Sequence, residues 1–151
     1  MSDMIGATCE VCNKIRKISQ PAINVLIDSG IARRELLHSD LIWTFLDPRR
    51  DKEGAKRLEI FLKILDAPKP KNLGDVVITR EEDHVDILLR YVDQGETDQL
   101  IIIENKVDSG DQPKQLERYV NKFLDMKYKK EHIAVVYLTP FGDSPSEQSV
   151  G

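Results

Sequence analysis

His84-Val85-Asp86-Ile87-Leu88-Leu89 and Ile101-Ile102-Ile103-Glu104-Asn105-Lys106 decide how this chain is read. Both are short apolar runs rich in isoleucine, leucine and valine, as strands are. In the second, three consecutive isoleucines imply that both faces of the strand are covered, so it is a central strand. Each run also carries charge, Asp86 in the first and Glu104 and Lys106 in the second. Side chains alternate along a strand, so Glu104 and Lys106 share a face. Charges in a sheet centre are costly unless something neutralises them. Two carboxylates and an ammonium there point to a metal ion or a charged substrate.

Outward from these runs the pattern fills in. A β-branched run over 75–79, a polar turn over 80–83 and strands over 84–92 and 99–106 are expected, with Gly95 marking a turn. Downstream, Asp111-Gln112-Pro113 predicts a helix start. That helix runs to about residue 127 with Leu116, Tyr119, Val120, Phe123 and Leu124 as its apolar stripe. A fourth strand is expected over 133–138, then a turn over 139–143. Upstream, Ala67-Pro68-Lys69-Pro70-Lys71 is a stiff connector. Leu58, Phe61, Leu62 and Leu65 follow helical spacing, which predicts a helix over 53–65. Helices are also expected over 33–46, ended by Asp47-Pro48, and over 14–29, bent at Pro21. Residues 1–13 carry no pattern and are expected to be loose. Helices, three strands, a helix and a strand make an α/β fold with a mixed central sheet flanked by helices. The unit from 99 to 138 is expected to be a right-handed parallel crossover.

The totals narrow the class. With 151 residues, one domain over 1–151 is expected. Forty per cent hydrophobic and 32% charged residues describe an ordinary soluble globular protein. A net charge of −4 makes no general polyanion binder, yet a local basic groove can still hold phosphates. The two cysteines, Cys9 and Cys12, provide no disulfide framework, and a structural zinc site wants four ligands. No signal peptide or membrane-spanning run is visible, so a cytoplasmic protein without membrane partners is expected. Phosphate-loop, GxSxG and HExxH motifs are absent.

Phosphodiester hydrolysis requires an activated water, a Lewis acid and stabilisation of transition-state charge. Mg²⁺ prefers hard carboxylate oxygens and keeps several waters. Asp86 and Glu104 suit that role if their strands are neighbours, and the Asn105 main-chain carbonyl offers a third oxygen. Lys106 would orient the attacking water or stabilise developing charge. The competing reading is a surface salt bridge at a strand end; the buried isoleucines beside Glu104 argue against it.

This constellation resembles the PD-(D/E)XK nuclease superfamily, with its restriction-endonuclease-like α-β-β-β-α-β core. The superfamily's Asp falls on Asp86 and its Glu-x-Lys on Glu104 and Lys106, while Val85 stands where the motif has Pro. Gln115-Leu116-Glu117-Arg118-Tyr119 looks like the Gln-x-x-x-Tyr element of the RecB-like branch, which implies a supporting role for Gln115 beside the active site. Arg33 to Trp43 and Leu46-Asp47-Pro48 resemble an uncharacterised bacterial subgroup, where a helix Glu reaches the metal; by that match Glu35 is a further metal ligand. Glu35, His38 and Ser39 would share a face. The resemblance implies an Mg²⁺- or Mn²⁺-dependent nuclease with DNA as substrate. The sequence carries no evident base-reading element, so recognition by backbone and shape is expected. Subgroup members usually continue past this chain's end, so the usual C-terminal portion is expected to be missing. Two alternatives follow: a truncated or inactive module that binds nucleic acid or a protein without cutting, and a self-associating domain or homodimer joined at a sheet edge.

Overall fold

The computed structural model describes residues 30, 34–107, 110 and 112–150. The helix expected over 14–29, the Cys9–Cys12 pair and Asp111 lie outside the described residues. Two helices lead, α1 (Glu35–Leu46) and α2 (Gly54–Ile64). Strands β1 (Val77–Glu82), β2 (Val85–Val92) and β3 (Asp98–Asn105) follow, then α3 (Gln115–Asp125), β4 (Ile133–Leu138) and a single turn, α4 (Glu147–Val150). The sheet order is β1-β2-β3-β4. The first two pairings are antiparallel and β3–β4 is parallel, joined through α3. This is the expected α/β architecture with a mixed sheet.

Alternation along the strands sorts the core into two layers. Ile87, Leu89, Tyr91, Ile101 and Ile103 pack with Leu46, Leu58 and Leu62 of α1 and α2. Leu88, Leu100 and Ile102 pack with Leu116, Tyr119 and Phe123 of α3. The three isoleucines are therefore buried on both faces, as consecutive apolar residues require. The same alternation sends Asp86, Glu104 and Lys106 to the α3 face and Asn105 to the α1 face. Among the described residues, no helix is long and apolar enough to cross a membrane.

Both ends of β1 differ from expectation. Asp75 falls in a 3₁₀ turn, where the Asn72 side chain accepts from the Gly74 N–H, so β1 starts at Val77. Arg80 to Glu82, expected as a turn, continue β1: Arg80 pairs with Ile87 and Glu82 with Val85. An edge strand tolerates polar residues, and these are engaged, Arg80 with Asp40 and Glu82 with Arg90. The turn shrinks to Asp83 and His84, both with left-handed backbone at φ 60° and 69°. Two successive positive-φ residues match the right-handed twist of a hairpin.

Gly54 marks a close approach at the start of α2. A Cβ there would sit 2.6 Å from the Asp47 carbonyl oxygen and 3.0 Å from Pro48 Cα. Both are backbone atoms and cannot swing aside. Gly54→Ala is expected to cost about 1–3 kcal/mol, read as a lowered denaturant midpoint. An unchanged midpoint would mean the loop ahead of α2 shifts freely.

Candidate active site

The site lies at the C-terminal end of β3, where strand register and both helical layers converge. Ile87 pairs with Ile103, so Asp86 stands one step beyond, opposite Glu104. Asp86 Oδ2 accepts from the Asn105 N–H at 2.7 Å. Lys106 Nζ lies 2.9 Å from Glu104 Oε1, as the two-residue repeat predicts. Gln115, on the first turn of α3, donates from Nε2 to Glu104 Oε1 at 2.7 Å and to Tyr119 Oη at 2.9 Å. The Tyr119 hydroxyl donates to the His84 carbonyl at 2.6 Å. Tyr119 thus packs in the core with its ring and ties down the β1–β2 turn with its oxygen.

The other layer contributes α1. The Asn105 side-chain amide donates to the Glu35 carbonyl at 3.2 Å and to Ser39 Oγ at 3.3 Å. The Glu35 carboxylate accepts from the Val107 N–H at 2.9 Å. Glu35 and Ser39 thus face the strand end together, as their spacing implies. His38 Nε2 is buried without a hydrogen-bond partner. Sequence reasoning cast Asn105 as a carbonyl donor; its side chain also proves to be the fastener between β3 and α1. It missed Ser39 in that contact, and a lone serine between histidine and aspartate in a helix offers no signal.

The electrostatics are those of charges kept from water. Burial raises the Asp86 carboxyl above its usual range, against the pull of the Asn105 N–H and Lys106, with Glu35 adding to the rise. Burial likewise raises Glu104, against its bond from Lys106, and the Asp86 charge raises it further. For Lys106 burial works downward, but Glu104, Glu35 and Asp86 outweigh it and its pKa ends raised. Glu104 is 3% exposed, and its Oε2 has no hydrogen-bond partner.

Among the described residues, no three acidic, histidine or cysteine side chains are gathered closely enough to hold a metal ion. Mg²⁺ does not need such a cage: it is commonly held by one or two carboxylates, with waters and substrate phosphates completing the shell. Asp86 and Glu104, hard oxygen donors that repel each other and leave Oε2 unpartnered, fit a divalent cation. Asp86 also lines a cavity of about 730 Å³, whose walls include His84, Gln112, Gln115, Arg118 and Lys122.

A carboxyl raised in the fold is protonated more readily there than in the unfolded chain, so its contribution to stability falls as pH rises. For Asp86 and Glu104 the change spans the interval from ordinary carboxylate values up to their raised ones. The metal-free protein is therefore expected to gain thermal stability from these two groups as pH falls through their raised values toward the ordinary carboxylate range. Asp86→Asn is expected to flatten part of that gain. Parallel melting curves for wild type and variant in EDTA would remove Asp86 as its source.

Residues 23–151 match the family model of the PD-(D/E)XK nuclease superfamily. No curated protein and no solved structure matches the chain.

Proposed function

Since the chain belongs to the PD-(D/E)XK nuclease superfamily, we propose that it is a divalent-metal-dependent nuclease that hydrolyses phosphodiester bonds of DNA. One observation carries this reading above the rest. Asp86 and the almost fully buried Glu104 face each other, with Glu104 Oε2 unpartnered and the Lys106 ammonium 2.9 Å from Oε1. A purely structural ion pair has no use for the second carboxylate.

Asp86 and Glu104 would hold Mg²⁺ or Mn²⁺, with Glu35 and the Asn105 carbonyl at the rim. A cation so held supplies Lewis acidity at the phosphoryl oxygen and lowers the pKa of water. The chain's own groups do the positioning. Gln115 fixes Glu104 by bonding Oε1, which leaves Oε2 for the ion. The Asn105 N–H fixes Asp86 through Oδ2. Lys106 stays protonated among three carboxylates, and its ammonium can donate to the oxygens on which charge grows in the transition state.

The test is cleavage of single- and double-stranded DNA in Mg²⁺, Mn²⁺ or EDTA. Metal-dependent cutting supports the reading. Absence of cutting on every substrate favours a nuclease-fold module that binds without cleaving.

A further inference from the structure

The cavity beside Asp86 has two chemically different walls. On one side are Glu81 and Asp83 of the β1–β2 hairpin. On the other, Arg118 and Lys122 project from α3, one helical turn and about 6 Å apart along its axis. That step is comparable to the advance between successive phosphates of an extended strand. Arg118 is held by two neutral acceptors, the Pro113 carbonyl at 2.5 Å and Gln112 Oε1 at 3.2 Å. Lys122 is differently placed. Its Nζ lies 2.5 Å from Asp83 Oδ1, across the cavity from its own helix.

A phosphate approaching Asp86 meets carboxylates on the hairpin side, and the lysine and arginine that line the cavity itself both stand on the α3 wall. Asp83 already shows how an anion sits there. It is presented by a turn in left-handed backbone, φ 60°, and puts one oxygen on the ammonium. Exposed pairs of this kind are weak, and both partners are about one-third exposed. An incoming phosphodiester can therefore displace the carboxylate.

We infer that this groove is the track of the nucleic-acid strand, that Arg118 and Lys122 hold neighbouring phosphates, and that Asp83 occupies the Lys122 position until a strand displaces it. This rests on the nuclease reading for its substrate class, but it concerns binding and is separable from cleavage.

The experiment is anisotropy titration of a labelled single-stranded DNA oligonucleotide with the full chain in EDTA, over a salt series, beside a cleavage assay in Mg²⁺. Asp83→Asn keeps a residue that accepts left-handed backbone and removes the competing charge. It is expected to tighten binding about two- to fivefold, the scale of an exposed ion pair. A gain of affinity cannot come from misfolding. Arg118→Ala with Lys122→Ala is expected to weaken binding at least about tenfold and to lower the salt slope by roughly 1.4, two single-strand phosphates. Unchanged or weaker binding by Asp83→Asn, or an unchanged salt slope in the double variant, overturns the inference. Wild-type cleavage with neither binding effect removes the groove and leaves the nuclease reading. Both binding effects without cleavage in any metal keep the groove and remove that reading.

Discussion

Glu104→Ala is expected to abolish divalent-metal binding at the site and DNA cleavage with it. Loss of a partner that only orients a ligand costs about 10–100-fold in metal affinity; loss of a ligand carboxylate should exceed that. Glu104 is also the acceptor shared by Lys106 and Gln115. Removing it leaves a nearly buried ammonium without its carboxylate and the Gln115 amide nitrogen with Tyr119 Oη alone, so part of the loss would come from a loosened site. Glu104→Gln separates the two effects. It keeps an oxygen for Lys106 and Gln115 and removes only the charge. Calorimetric titration with Mn²⁺ beside thermal unfolding distinguishes them. Intact metal affinity in either folded variant would move the centre away from Glu104.

Lys106→Ala should behave in the opposite way, with metal retained and turnover lost. Its ammonium offsets the charges of Glu104, Asp86 and Glu35, so its removal raises the local negative potential and favours a divalent cation. The transition state loses a donor. Removal of one such group typically costs about 10²–10³ in turnover. Single-turnover cleavage at saturating Mn²⁺ measures it, and unchanged turnover would take Lys106 out of the chemistry.

The legible parts of this molecule were those set by local period and burial. Ile101–Ile103 announced a strand covered on both faces, and 133–138 was read with the bounds of β4. The two-residue repeat of a strand is enough to set Lys106 beside Glu104. The illegible parts were set by partners distant in sequence. Arg80–Glu82 look like a turn because they are polar; they remain in a strand because Asp40 and Arg90 meet them. Lys114 shows a similar limit: its left-handed φ of 55° delays α3 to Gln115, past the start expected at Asp111-Gln112-Pro113. The Arg118–Lys122 wall escaped notice because such spacing is common on solvated helix faces, and only the facing hairpin gives it meaning.

The Asn105 fastening has a temporal side. Its bonds to Ser39 and to the Glu35 carbonyl span 66 and 70 residues, and the Glu35–Val107 bond spans 72. Contacts so far apart in sequence are slow to form, because loop-closure entropy is lost before they reward it. On the ribosome, α1 is synthesised well before β3 exists to receive it. Gln115, which fixes Glu104, follows later still. A nascent or half-folded chain therefore carries the acidic residues but not their arrangement, and the proposed nuclease chemistry has to wait until the sheet is complete.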